Sequence, residues 1–398
     1  MTTTADAAQL IDRNMPRWPA VAVPLGAALD RILAEDVAAE RDIPAFDRVT
    51  MDGIAFAFGA YEQGTRDFAV SATLPAGVAA PPLPDAQHCI RVMTGAVLPE
   101  GADTVVPIER VTLHEDRASI AASARVTEGQ FIHRRGSDRE KGATLLATGA
   151  RIGPPEMAVL ASVGKAELRV AALPKIAVVS TGDELVGVDE PLLPHQIRSS
   201  NGRAIEAALE RHRCAQVTRT RLRDEPETLL AAIATLHDGH DALILSGGVS
   251  MGDFDFVPAV LERLGARLIF HRIEQRPGQP MWFGMSREGK PIFALPGNPV
   301  STLVCLTRYV LPAMRRALGA TDARHEVVRL SESVDHGPSG LTYFVPVCLA
   351  WSDDGIARAR PRAINTSGDF SSLAGTDGIV ELPPDRRKAG DSVALYRW

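Results

Sequence analysis

No run in this chain approaches the about 20 consecutive apolar residues that cross a bilayer. The residues near Met1, among them Asp6, Asp12 and Arg13, form no signal-peptide core, so a cytoplasmic protein without a membrane partner is expected. Cysteine is scarce: Cys89, Cys214, Cys305 and Cys348 lie far apart with no C-x-x-C pair, which argues against a zinc knuckle or dithiol redox motif and leaves ordinary reduced thiols. Dense basic charge is missing as well. The net charge is −6, and Arg134-Arg135 and Arg386-Arg387-Lys388 are isolated, so nucleic acid is not an expected partner. There is no G-x-x-x-x-G-K-[ST] loop, no G-x-G-x-x-G after a strand, no G-x-S-x-G elbow and no H-E-x-x-H, and the 10 histidines show no ligand spacing. His271 reads as a core or surface residue.

What is present is a chain of 398 residues, too long for one core and expected to hold about two to four domains. Thr4 to Met15 reads as a helix, and the spacing of Leu25, Leu29, Ile32 and Leu33 predicts a second that ends before Pro44. Ile43 to Gly53, with Pro44, Asp47 and Asp52, reads as an ordered loop whose aspartates cap turns. From Ile54 to Lys141 short runs such as Asp67 to Ala72, His88 to Met93 and Asp103 to Ile108 predict a mostly β lobe. By composition alone, Arg91 to Ala96 and Arg134 to Asp138 are solvated turns. Thr144 to Val170 returns to mixed structure, with a helix opened by Pro154-Pro155 and closed near Gly164.

Between Lys175 and Gly319 strands and helices alternate. The expected strands are Ile176 to Ser180, Gln216 to Leu222, Ala242 to Leu245, runs near Leu268 and Trp282, and Ile292 to Leu295. The expected helices are Gly202 to Arg211, one with Asp224 as N-cap and Glu227 as capping-box carboxylate, Phe256 to Leu264, and a long one with Asn298 as cap and Pro299 at its start. This alternation implies a parallel sheet covered on both faces. Ligands bind such sheets at the carboxyl ends of the strands, where Ser180 to Leu185, Ser246 to Asp255 and Pro296 to Pro299 converge. In the second turn Gly247, Gly248 and Gly252 permit close backbone approach, and the following helix start suits an anion. Asp253 and Asp255 in the same turn would repel a phosphate unless a divalent cation lay between them. The stretch therefore predicts a phosphorylated ligand with a metal. Beyond Thr321, Glu326 to Leu330, Thr342 to Leu349 and Ile379 to Leu382 predict a C-terminal β domain, with Asp353-Asp354-Gly355 as a hairpin turn and Asn365 to Leu373 as its most polar loop.

One set of motifs runs through the chain in order: PAFDRVTMDG (Pro44 to Gly53), RVMTGAVLPEGADTVV (Arg91 to Val106), RRGSD (Arg134 to Asp138), STGDEL (Ser180 to Leu185), SGGVSMGDFDF (Ser246 to Phe256), RPGQP (Arg276 to Pro280) and ALPGNPVS (Ala294 to Ser301). Together they resemble the molybdopterin molybdenumtransferase family, MoeA and the gephyrin E domain. The resemblance implies a multidomain α/β plus β fold. Residues 1–45 and 142–172 would form a connecting and dimerisation domain, 46–141 an inserted β lobe, 173–322 a MogA-like α/β domain with a parallel-rich sheet, and 323–398 a small β-barrel domain.

It also implies a homodimer that inserts molybdate into adenylylated molybdopterin with release of AMP, aided by Mg2+, with a MogA-type adenylyltransferase and molybdoenzymes as partners. A metal would offset the charge that develops as the phosphoanhydride breaks. The functional positions implied are Asp52, Thr94, Asp138, Glu184, Asp224, Asp255 and Arg276 for catalysis. Gly247, Gly248, Ser250, Gly252, Asp253, Pro296, Gly297, Asn298 and Ser367 would bind substrate. Glu184 and Asp255 would hold the metal, Arg276 an anionic group, and Asp52 with Thr94 a pocket completed in the dimer.

Three departures stand out: Ile54 where the family often has Tyr, Gln279 where it usually has Lys, and Ser199 where it often has Asp. Gln279, expected to face the glycine turn across the pocket, removes a full positive charge, for which Arg272 and Arg276 would compensate. Two other readings compete. One is molybdopterin adenylylation, against which the extra lobes argue; the other is a molybdopterin carrier or scaffold without turnover, supported by Gln279 and Ser199.

Overall fold

The computed structural model describes residues 1–249, 255–321, 325–335, 340–384 and 387–398; the expected site residues Ser250, Gly252 and Asp253 lie outside them. The chain forms two compact units, one of Met1–Glu35, Thr148–Ala161 and Lys165–Trp398, the other of Asp36–Ala147 and Ser162–Gly164. Among the described residues no helix is long and apolar enough to cross a membrane.

The larger unit is built on a six-stranded sheet in the order Gln216–Leu222, Lys175–Thr181, Ala242–Ser246, Pro291–Leu295, Trp282–Met285, Arg267–His271. The first four strands are parallel, and the last two turn antiparallel, so the sheet is mixed rather than wholly parallel. Successive side chains of a strand point to opposite faces. Ile176, Val178, Ile244 and Phe293 therefore pack with Ile205, Leu209 and Tyr309 on one side. Ala177, Val179, Leu243 and Leu245 pack with Leu229, Ile233 and Val260 on the other. Burial on both faces is why these strands read as unbroken apolar runs, and each fully buried aliphatic side chain stabilises the sheet by about 1.5–3 kcal/mol.

The helix that follows Pro299 is not uniform. It runs as α-helix over Pro299–Cys305, as a π turn over Leu306–Val310 and as α-helix again over Leu311–Ala317. Pro312 would clash with a carbonyl one turn back in a straight α-helix, and the wider turn before it relieves that crowding. The same segment carries Arg308, whose Nε lies 2.8 Å from Oε2 of Glu381 on a barrel strand.

That barrel closes through five strands, Thr342–Trp351, Ala357–Pro361, Glu326–Leu330, Ser392–Arg397 and Gly378–Leu382, the last pairing back onto the first. Val328, Leu330, Val347, Val380 and Leu395 fill it. The Asp353-Asp354-Gly355 turn sits between paired Trp351 and Ala357 as expected. A short strand, Gln275–Arg276, runs parallel to Thr342 and Tyr343 and fixes Arg276 at the barrel's edge.

The helix expected from Leu25 to an end before Pro44 does not form. Leu25–Ala27 is one 3-10 turn, and Asp30 has a φ of 64°. The amides of Asp30, Leu33 and Ala34 donate to Ile152, Ala150 and Arg169. Pairing with distant chain took the donors that a helix needs, and four apolar positions alone could not outweigh it. The first helix is Thr4–Asn14, capped by Thr3.

In the smaller unit the main sheet runs Thr104–Pro107, Gly53–Phe56, His88–Val92, Asp67–Leu74, Arg117–Ile120, Val111–His114. It is antiparallel except where Asp67–Leu74 meets His88–Val92. A Cβ at Gly53 would stand 1.9 Å from the Val106 carbonyl oxygen, so the residue after Asp52 has to be glycine. Ile54 is wholly buried here, a core residue rather than a lining one.

Candidate active site

Three parallel strands deliver three turns to one end of the central sheet. Lys175–Thr181 leads to Gly182, Asp183 and Glu184; Ala242–Ser246 leads to Gly247 and Gly248; Pro291–Leu295 leads to Pro296, Gly297 and Asn298. The turns are in close contact. A Cβ at Gly247, where φ is 103°, would stand 2.4 Å from the Thr181 carbonyl oxygen. Any side chain there would push two turns apart.

Around these turns lies a cavity of about 530 Å³ lined by Ser180, Thr181, Glu184, Ser199, Asn201, Asp224, Ser246, Gly247, Gly248, Asp255, Pro296, Gly297 and Asn298, with others. Asp224 comes from the end of Gln216–Leu222 and is not the N-cap of the next helix. Glu225 occupies that position before Pro226–Gly239, and Glu227 pairs with Arg263 instead of closing a capping box. Asn298 does hold the N-cap position of its helix, but its Nδ2 donates to Ser367 Oγ at 2.9 Å rather than capping. Val257, first in its helix, donates its amide to the Gly248 carbonyl at 3.2 Å, so that expected anion donor is already engaged.

The cavity's electrostatics turn on Asp224. Burial pushes the Asp224 carboxyl above the usual carboxylate range, and the negative charges of Glu184, Asp183 and Asp255 push the same way. The Thr181 hydroxyl lies near enough to relieve it in part, short of a hydrogen bond of ordinary geometry. Asp224 Oδ1, Ser180 Oγ, Thr181 Oγ1 and Asn201 Oδ1 are all sealed from solvent, with no hydrogen-bond partner among the described residues. Buried polar atoms are rarely left so, and a cluster of four marks a place where a ligand or cation completes the bonding. Among the described residues no three His, Cys, Asp or Glu side chains form a ready-made metal cage. The acids fit Mg2+ nonetheless, which commonly takes one or two carboxylates and completes its shell with water and substrate phosphate.

A second cavity of about 720 Å³ adjoins the first and shares Pro280, Pro296 and Asn298 with it. Arg276, Gln279, Tyr343, Arg362, Asn365 and Ser367 line it. Gln279 therefore does not face the glycine turn as expected; its Nε2 lies 2.9 Å from Met1 Sδ. The loop from Arg276 follows the barrel strand it pairs with, which carries Gln279 to the barrel side. Arg272 lines neither cavity, whereas Arg276 brings positive charge to the second. Ser199 does line the first cavity, where it leaves one carboxylate fewer than the family pattern.

The remaining expected residues belong to the smaller unit. Asp52 Oδ1 accepts from both the amide and the hydroxyl of Thr94, each at 2.7 Å, and that hydroxyl and then the amide hold its carboxyl below the usual range. Asp138 pairs with His133 Nε2 at 2.9 Å. Asp47, read from sequence as a turn cap, instead accepts from the Arg134 guanidinium and the Arg135 amide across 87 and 88 residues of chain. Sequence reasoning missed Asn201 and passed over Ser180, Thr181 and Ser246 as small turn residues. Their position beside the acids was the available signal, but hydroxyls and amides in turns are too common to single out.

The comparisons agree with this architecture. Residues 2–164 match the MoeA N-terminal region (domain I and II), 177–316 a probable molybdopterin binding domain, and 328–398 the MoeA C-terminal region (domain IV). A molybdopterin molybdenumtransferase of Synechocystis sp. is 35% identical over 401 aligned positions, covering 100% of both chains. One of Staphylococcus aureus is 32% identical, covering 98% of this chain and 94% of its own. The crystal structure of a molybdopterin biosynthesis MoeA protein from Pyrococcus horikoshii superposes with a TM-score of 0.83 at 31% identity, covering 100% of this chain and 99% of that one. Alike in sequence and in fold from end to end, the chain belongs to the MoeA family of molybdopterin molybdenumtransferases.

Proposed function

We propose that this chain transfers molybdate onto adenylylated molybdopterin with release of AMP. The observation that carries this reading is the pairing of two adjoining cavities, one ringed by Glu184, Asp224 and Asp255, the other holding Arg276 and Arg362. A pterin pyrophosphate and an oxyanion need both characters side by side. Glu184 and Asp255 would hold Mg2+, which when bound offsets negative charge on the pyrophosphate. Burial and then the neighbouring acids hold the Asp224 carboxyl above the usual range, and a cation arriving there would draw it back down, which couples metal binding to pH. Gly247, Gly248 and Gly297 let the ligand approach the backbone closely, and Asn298, on the wall common to both cavities, donates to Ser367 of the second. Arg276 draws the oxyanion by charge, a task that Gln279 can serve only by hydrogen bonding.

The reading includes a homodimer in which Asp52, Thr94 and Asp138 complete the site, and a fourfold division at 1–45 with 142–172, 46–141, 173–322 and 323–398. The test is to incubate the protein with adenylylated molybdopterin, molybdate and Mg2+ and to follow AMP. Release that requires molybdate supports the reading. ATP consumption with free molybdopterin would replace it with adenylylation, and binding without either product with a carrier. Light scattering that returned a monomer would remove the dimer.

A further inference from the structure

Asn201 opens the helix Asn201–Arg211 at the rim of the first cavity. Its Nδ2 donates to Ser246 Oγ at 2.9 Å and to the Gly297 carbonyl at 2.7 Å, which ties the glycine turn to the Pro296–Asn298 turn. The Gly297 carbonyl can only accept, so the amide has one orientation: nitrogen toward the turns, oxygen away from them. Both amide hydrogens are then engaged. The oxygen is sealed from solvent, and among the described residues no donor reaches it. Asp224 Oδ1, on the same cavity, is a second buried oxygen without a partner among them.

Phosphate, pyrophosphate and molybdate present almost nothing but acceptors at neutral pH, and against Asn201 Oδ1 they would leave it unsatisfied. A pterin presents an amino group and ring N–H on its pyrimidine edge. We infer that Asn201 is a specificity-determining residue, whose side-chain oxygen accepts a hydrogen bond from the pterin's amino group while its nitrogen holds the two turns in register. This deepens the proposed function and rests on the reading of the cavity as a pterin site. It also orients the ligand, with the ring's donor edge at Asn201 and the anionic end toward the carboxylates and their cation.

The probes are pterin-6-carboxylate and lumazine-6-carboxylate, which differ in having an amino group or a carbonyl at ring position 2. Binding to the full-length protein is followed by their fluorescence. The wild-type chain is expected to prefer the pterin by about tenfold, the worth of one such hydrogen bond. Asn201→Ala is expected to lose that preference, because it weakens pterin about tenfold more than lumazine, whose affinity falls only by what the lost turn contact costs. Asn201→Ser, whose hydroxyl suits a helix start, is the second variant and should behave alike. A purely structural role would lower both affinities in parallel, and that outcome, or a preference that survives in the variants, overturns the inference while leaving the pterin reading intact. A wild-type chain that binds neither probe overturns both.

Discussion

Carboxylates in the two units meet opposite surroundings. In the smaller unit Asp42, Asp47 and Asp52 each accept a hydrogen bond from a backbone amide and at least one more from a side chain, and their carboxyls lie below the usual range. At the strand ends of the central sheet Asp224 has a buried oxygen with no partner among the described residues and a carboxyl raised by burial and by three neighbouring acids. The first arrangement uses the charge to hold loops in place. The second keeps it unsatisfied, which raises the energy of the empty site and is relieved when a cation and ligand enter.

The most severe test of this contrast is Asp224→Asn. Activity in the AMP-release assay should fall on the order of a hundredfold, as when one charged group aimed at a reacting centre is removed. The melting temperature should hold or rise, because a repelled carboxylate is gone; a marked fall would erase the difference between the units. Asp47→Ala should do the reverse. It removes the partner of Arg134 and of the Arg135 amide, and urea unfolding should show a loss of about 1 kcal/mol.

The two kinds of acid also differ in the sign of their pH dependence. A raised folded-state pKa contributes stability below the unfolded value and loses it as pH rises through the folded value, so the melting temperature of Asp224→Asn should gain on wild type as pH climbs out of the acid range. A lowered pKa acts the other way. Thr94→Val removes the hydroxyl that holds Asp52 low, and an NMR titration should show the Asp52 carboxyl moving up toward the ordinary value. The smallest effect is expected from Gln279→Lys, which adds a cation to the second cavity. Molybdate should bind about two- to fivefold more tightly, by an increment that shrinks with added salt.

Much of this site was legible before any coordinates. The carboxyl ends of three parallel strands were readable from apolar runs that stop at Ser180, Ser246 and Pro296, and Gly247 was readable as a glycine that permits a positive φ and close backbone approach. Local pattern did not reveal that Asp224 faces the cavity, because Asp before Glu-Pro-Glu is an equally good helix cap; only the family resemblance put it among the functional positions. It did not separate Gln279 from the glycine turn either, since that depends on a strand pairing with Tyr343 across the molecule. The helix expected from Leu25 onward failed for the same reason, its amides being claimed by residues more than a hundred positions away.

The sequence by itself determined the succession of strands and helices, the turns that had to be glycine, and the family. These depend on periodicity and on backbone sterics, which act between residues a few positions apart. Tertiary structure alone decided which acids are left unsatisfied, which side of Asn201 faces the ligand, and how the charged groups divide between two cavities. Those outcomes depend on whether a distant donor arrives within about 3 Å of a given oxygen, and no local pattern encodes that.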